Sequence, residues 1–414
     1  MLCFYNSRKQ IFISAKEVFI INSHSTRLTG IDGIRGLGLL GILLANMLAF
    51  QYSIWEYRFI SFFELSGIDQ FVYSALQIVV VGSFAPIFAF LYGFGTIKMT
   101  EGLEQRGLSP YPFLIRRFLF LLAAGLLHFF LLWEGDILAT YGLAGFLLLA
   151  FLRVKPKALI ISGVCVLLLF SLLSFGTTTG MGFLNDTWTE FARTSMETYQ
   201  QGSYADIQSL RLQFGPEPFG QIFFAFSWLL IPILISSMFM FGMAAARLRL
   251  FHRPAEERGL YKKFAATLIP LGLALKAFAV VQPEYTFSGG LEVLGGTVLA
   301  LGYVFAFALF FGQQSGRLSG VRERLISVGR LSMSNYLLQT FFGVFLFYGY
   351  GLGLFGKLGT TIGCLAAIAF FMVQAWASGL YLRKFRSGPA EKLLRSWIWL
   401  GKREKTKRDH TASL

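Results

Sequence analysis

Charge is scarce in this chain. Of its 414 residues only 14% are Asp, Glu, Lys or Arg, against about 25% in a soluble domain. The polar surface needed to stay dissolved is therefore missing. Cysteine and histidine are rarer still, at 3 and 4 residues. Cys3, Cys165 and Cys364 stand far apart and give neither a disulfide framework nor metal-ligand spacing. So few histidines also exclude a His-rich metal site, and no metal is expected. No phosphate loop, dinucleotide fingerprint or catalytic-serine motif occurs. Hydrocarbon fills the sequence instead: 55% of residues are apolar, with 46 Phe and 44 Gly. That composition reads as an all-α, polytopic integral membrane helix bundle, with lipid-facing helices and close backbone contacts.

The net charge of +15 does not point to nucleic acid. Basic residues cluster in short segments between apolar runs, which is how membrane orientation is written. A span needs about 20 mostly apolar residues. Ten segments qualify, near 34–51, 70–96, 113–133, 137–152, 158–176, 220–246, 262–281, 291–312, 333–355 and 359–382. The fourth is short and the ninth is interrupted by GYGLGLFG, so both read as tilted, broken or partly re-entrant. With Arg8, Lys9, Lys16 and Arg27 in the cytoplasm, the outer loops carry Glu56, Glu64 and Asp69, then Glu134 and Asp136. The inner loops carry Arg116 and Arg117, then Arg153, Lys155 and Lys157, then Arg247 to Lys263, then Arg317 to Arg330. Both termini fall in the cytoplasm.

Three regions follow. Residues 1–26 are an N-terminal extension; IFISAKEVFII is broken by Lys16 and Glu17 and has no small-residue cleavage site, so it does not read as a signal peptide. Residues 27–400 form a single transmembrane domain, with an outer loop at 177–219 that either lies on the membrane surface or caps a cavity. Residues 401–414 are a basic cytoplasmic tail whose KREKTKR run is a topology anchor or a contact for anionic membrane lipids.

Ionisable groups inside spans are costly, about 2.5–3.5 kcal/mol at a helix centre on insertion scales, and so are functional candidates. Asp32 and Arg35 share a helix face and can pair; they read as an orientation signal or as the mouth of a binding site. Asn46 lies nearly three turns further along the same stripe, about 16 Å from Arg35. His128 and Asp136 approach each other across the short turn after the third span. A His beside a carboxylate is a general base or a proton relay; the alternative is a histidine hydrogen-bonded to a neighbouring helix. Lys276 reads as a snorkelling lysine. Arg330, Asn335 and Gln339 form a polar strip that either glues helices together or lines a substrate path.

The first-span motif, GDILATYGLAGF at 135–146, VGRLSMSNYLLQT at 328–340 with FYGYGLGLFG after it, and KFRSGPAEKLLRSW at 384–397 together resemble the YeiB-like bacterial membrane family, catalogued as domain of unknown function 418. The resemblance runs from about Arg27 to Trp399, with a C-terminal family block near 225–400, and implies a bacterial inner or plasma membrane location. More distantly, the first span is similar to the opening helix of transmembrane acyltransferases, where an Arg is followed after ten intervening residues by a His. Here Arg35 is followed at that spacing by Asn46, as in the branch containing heparan glucosaminide acetyltransferase. No His lies between Asn46 and His128, so His128 takes the histidine's part only where the third helix packs beside the first.

The expected function is therefore acyl transfer from a cytoplasmic donor to a cell-envelope acceptor. His128 and Asp136 would be catalytic, and Asp32, Arg35, Asn46, Arg330, Asn335 and Gln339 would bind substrate. Acyl-CoA would be the donor substrate rather than a resident cofactor. The alternative is a transporter or flippase for a small solute or lipid, using the same polar residues as a path. The orientation itself is testable. In a variant without native cysteines, Ser209→Cys should react with an impermeant maleimide in intact cells, and Gln105→Cys only after permeabilisation; the opposite pattern would invert the topology.

Overall fold

The computed structural model describes residues 28–53, 63, 65–176, 186–213, 219–313 and 318–400. The extension 1–26, the tail 401–414 and part of the 177–219 loop lie outside the described residues. Among those described, every regular element is helical. Eight helical segments are long and apolar enough to cross a membrane; a shorter apolar one, Leu138–Phe151, falls where the fourth span was expected, and a 16-residue helix, Ser332–Phe347, where the ninth was. The protein is a polytopic helical membrane bundle.

In chain order the elements are α1 (Thr29–Tyr52), α2 (Gly67–Val79), α3 (Phe84–Glu104), α4 (Tyr111–Leu131), α5 (Leu138–Leu148), α6 (Pro156–Leu173), α7 (Asp186–Gln201) and α8 (Tyr204–Gln213). They continue with α9 (Phe219–Arg247), α10 (Arg258–Val281), α11 (Ser288–Phe311), α12 (Ser319–Arg330), α13 (Ser332–Phe347), α14 (Gly359–Lys384) and α15 (Pro389–Ile398). α5 is short because Asp136 starts it late and a 3-10 turn at Leu149–Phe151 ends it. α13 stops at Phe347, where the chain enters the glycine-rich run.

Two predicted spans differ in detail. The second, expected as one helix over 70–96, is broken between α2 and α3, where Gly82 takes φ +71° in the left-handed region open to glycine. The break leaves carbonyls without helical partners, and Lys276 of α10 supplies a donor to Val81 O. Lys276 is 1% exposed, so the snorkelling expected of it is corrected: it is a buried cap on a broken helix. The ninth span begins after a separate helix, α12, which runs antiparallel to the first turns of α1.

α1 is the hub. It packs against α3, α11, α12, α13 and α14, and more of its surface is buried than that of any other candidate span. Glycines set the closest approach. A Cβ on Gly36 would overlap the carbonyl oxygen of Leu325 in α12, and one on Gly329 would overlap that of Asp32. Such small-residue contacts replace the hydrophobic drive that helices lack in lipid. Leu127, Leu172, Met372 and Val373 point outward, as lipid-facing residues should.

The two ends of the bundle are separately tied. At the end expected outside, Gly356 N donates to Gln51 O, Gly349 N to Tyr199 O and Gly176 N to Thr286 O. At the other end the amphipathic α15 crosses the face. Its Glu391 accepts from Met333 N (2.8 Å), Ser334 N (3.2 Å) and Ser334 Oγ (2.6 Å), capping α13. Arg116 of α4 donates to Leu400 O (2.7 Å), and Trp397 Nε1 to Arg116 O (2.9 Å). One surface helix therefore holds α13 and α4 together at the end expected in the cytoplasm.

Gly36→Val forces a branched side chain against the α12 backbone and should lower stability by about 1–3 kcal/mol. Gly102→Ala, where an added Cβ meets nothing within 4 Å, should be neutral or stabilising by up to about 1 kcal/mol. Thermal unfolding of the detergent-purified variants compares the two.

Candidate functional site

The site begins where α4 ends. Leu132 N and Trp133 N both close on His128 O at 2.9 Å, turning the chain sharply after the last helical residues. Eight residues after His128, Asp136 caps α5 by accepting from Ala139 N at 2.6 Å through Oδ2, the usual use of an Asp at a helix start. Gly125 of α4 makes room for this return, since a Cβ there would run into Ala139 N and Asp136 Oδ2. The other Asp136 oxygen, Oδ1, then lies 2.9 Å from His128 Nδ1, with both side chains 1% exposed. The vector is not aligned as a hydrogen bond; the contact is a close charge–dipole one.

The second ring nitrogen meets a residue absent from the sequence-level candidates. His128 Nε2 is 3.0 Å from Thr340 Oγ1 of α13. Thr340 is 1% exposed and its hydroxyl also lies 3.4 Å from Tyr336 O. The Tyr336 ring covers the imidazole at 5.4 Å between centroids, and its hydroxyl reaches Gly135 O at 3.3 Å. The result is a buried chain, Asp136–His128–Thr340, joining α4, the α5 cap and α13. A threonine in an apolar helix carries no sequence signal of its own; the one available clue is that the quoted motif VGRLSMSNYLLQT ends on it.

The predicted stripe on α1 leads to this chain. At roughly 100° per residue, Arg35 and Asn46 lie within about 20° of each other. On one side of them Gly38 and Gly41 receive Phe88 and Phe84 of α3; on the other, Phe50 rests on Gly343 of α13. The stripe thus faces the space between α3 and α13. Asn46 is half-buried and sits four residues before Phe50, while Thr340 sits three before Gly343. Both helices rise outward, so Asn46 and Thr340 share a depth to within about 1.5 Å. The third span, α4, does not pack along α1 as the histidine's part required; the link between them is Trp133, just past the end of α4, whose ring lies 4.2 Å from that of Phe50.

At the end expected in the cytoplasm Arg35 pairs with Asp32 at 2.9 Å. A Cβ on Gly95 of α3 would lie 3.8 Å from Arg35 Nη2. One turn to either side on the same α3 face are Tyr92, with Arg117 4.5 Å above its ring, and Met99, whose sulfur Arg117 approaches at 4.0 Å. Two guanidiniums therefore converge on one helix face, a placement suited to an anion. Arg330, half-buried at the end of α12, lies at the same end of the bundle. Asn335 and Gln339 turn elsewhere. Asn335 Nδ2 donates to Val328 O and Ser378 Oγ, both at 3.1 Å, and Gln339 Nε2 to Gln374 Oε1 at 2.8 Å. They join α13 to α14.

Beside the outer turn, Arg211 of α8 pairs with Glu134 at 2.8 Å, and Tyr199 of α7 donates to Glu134 at 2.6 Å. Burial above all, and then the Glu134 carboxylate, hold the Tyr199 phenol well above its ordinary pKa, so it remains a donor. This cluster clamps the outer helices over the α4–α5 turn. Two cavities lie apart from the stripe: one of about 170 Å³ lined by Thr100, Glu101 and Arg247, and one of about 410 Å³ lined by Ser171, Tyr285 and Gly290.

A family model described as a protein of unknown function (DUF418) matches residues 245–401. The uncharacterized protein YxaH of Bacillus subtilis (strain 168) is 33% identical over 392 residues, covering 90% of this chain and 93% of the relative. The uncharacterized protein YeiB of Escherichia coli (strain K12) is 25% identical over 396 residues, covering 89% and 94%. No solved structure matches.

Removal of the imidazole leaves the Asp136 Oδ1 carboxylate oxygen buried without its neighbour. His128→Ala should therefore cost about 1–3 kcal/mol in thermal unfolding. His128→Gln, which restores an amide donor, should recover part of that loss.

Proposed function

The chain belongs to the DUF418 family of proteins of unknown function, and from that premise we propose that it is a membrane acyltransferase. It takes an acyl group from a cytoplasmic thioester donor of the acyl-CoA type and delivers it to a hydroxyl or amine at the outer face. The observation that carries this reading is the Asp136–His128–Thr340 chain. An imidazole held between a carboxylate and a hydroxyl is the arrangement that general-base acyl transfer uses.

The donor's phosphates dock on Arg35 and Arg117 at the cytoplasmic end, with Arg330 close by. The acyl arm follows the α1 stripe outward, past Asn46, to the depth of Thr340 and His128. Asp136 holds the imidazole in the tautomer with Nδ1 protonated and stabilises the imidazolium formed during transfer. Asp32 orients Arg35. Asn335 and Gln339 act at one remove, keeping α13, and so Thr340, fixed against α14. The enzyme works in a bacterial cell membrane, where the donor is cytoplasmic and the acceptor belongs to the envelope.

A second reading, transport of a small solute or lipid, draws on the α2–α3 break and the Lys276 cap, because discontinuous helices line many transport paths. Protein reconstituted in lipid discs and given labelled acyl-CoA separates the two. Acyl transfer predicts release of free CoA, faster with a suitable acceptor, and a loss of about 10²–10⁴-fold in His128→Ala. Asp136→Asn, which retains the α5 cap, should lower kcat more than it changes KM. Solute movement across sealed vesicles with no acyl donor, unaffected by His128→Ala, would favour transport instead.

A further inference from the structure

The geometry around His128 Nε2 carries a consequence for the route of the acyl group. A base that deprotonates the acceptor directly would present its free nitrogen to the substrate path. Here Nε2 is already occupied, 3.0 Å from Thr340 Oγ1. The carboxylate 2.9 Å from Nδ1 favours the tautomer with the proton on Nδ1. Nε2 is then an acceptor, and the Thr340 hydroxyl is its donor. The competing contact of that hydroxyl, back to Tyr336 O, is long at 3.4 Å. A hydroxyl that donates to an imidazole backed by a carboxylate is an activated nucleophile.

We propose that Thr340 is the catalytic nucleophile and carries the acyl group as a covalent ester between donor and acceptor; this rests on the acyl-transfer reading. In the first half-reaction Thr340 Oγ attacks the thioester carbonyl carbon and its proton passes to His128 Nε2. The tetrahedral adduct collapses with cleavage of the C–S bond, the thiolate takes the proton from His128, and free thiol leaves. In the second, the acceptor hydroxyl attacks the Thr340 ester and gives its proton to His128. The C–Oγ bond breaks and the Thr340 oxygen recovers that proton. One thioester and one alcohol become one ester and one thiol, with no other reactant.

The position of Thr340 fits a shuttle between two sides. It lies at the depth of Asn46, where the α1 stripe from Arg35 ends. It also lies one helix away from the α4–α5 turn, where Gly135 O accepts from the Tyr336 hydroxyl. A covalent carrier there lets a cytoplasmic donor leave before an outer acceptor binds, so the two substrates need never meet across the membrane.

The test uses full-length protein in lipid discs, given isotope-labelled short- and long-chain acyl-CoAs without acceptor, then quenched in acid and peptide-mapped by mass spectrometry. Wild type should release a burst of one CoA per protein and carry one acyl group on the peptide containing Thr340. Thr340→Ser should keep both signals. Thr340→Val, matched in shape and checked by its unfolding midpoint, should lose both and lower transfer by more than about 10³-fold. Transfer in Thr340→Val at the wild-type rate, with His128→Ala still inactive, would overturn the role of Thr340 and leave acyl transfer standing. A label on any other residue would do the same. No consumption of any acyl-CoA by wild type, with or without acceptors, would overturn both.

Discussion

An imidazole buried in a helix bundle has no water to turn to, and the arrangement of this protein's outer half follows from that. His128 needs one partner at each ring nitrogen. The chain supplies them from two directions: a carboxylate from the turn that leads out of its own helix, and a hydroxyl from a helix more than two hundred residues away in sequence. Leaving either polar group unmet in such surroundings costs several kcal/mol. The α4–α5 turn, the late start of α5 and the placement of α13 are thus mutually required. The clamp of Arg211 and Tyr199 on Glu134 fixes the same turn at one end of the bundle, and Glu391 with Arg116 fixes the same two helices at the other.

α1 links this buried site to the opposite end of the bundle. Its glycines let α12 come within backbone contact on one side, and its Arg35–Asn46 stripe looks toward the space between α3 and α13. The polar content of the bundle is therefore divided by direction. Groups on the α13–α14 seam, Asn335, Gln339, Gln374 and Ser378, hydrogen-bond across it, with Gln339 Oε1 left over. Groups along the α1 stripe face the α3–α13 seam, and His128 meets Thr340 of α13.

Much of the fold was legible because lipid imposes a simple code. Length and hydropathy located the spans, and the alternation of basic and acidic loops gives the orientation expected of them. The weak fourth and ninth spans were visible as a short run and a glycine-rich interruption, and they are the short helices α5 and α13. The α2–α3 break was not visible, since a single glycine at 82 in an apolar run carries no distinct signal and the compensating Lys276 is distant in sequence. In the site, His128 and Asp136 stood out because charge is rare there and a short turn brings them near. Thr340 and Arg211 did not. A threonine is ordinary within a span and an arginine ordinary in a loop; only tertiary packing gives either a partner. Asn335 and Gln339 show the opposite: polar residues at helical spacing mark a face, but not whether that face meets a ligand or another helix.

The central claim is that one continuous line joins the cytoplasmic guanidiniums to the Thr340–His128 pair. A cryo-electron microscopy structure of the protein in lipid discs with a non-hydrolysable acyl-CoA analogue tests it most directly. The account predicts phosphate density at Arg35 and Arg117, an acyl arm running past Asn46, and the carbonyl mimic within reach of Thr340 Oγ. An analogue bound elsewhere, or side chains packed solid between Arg35 and Thr340 with the ligand present, would contradict it.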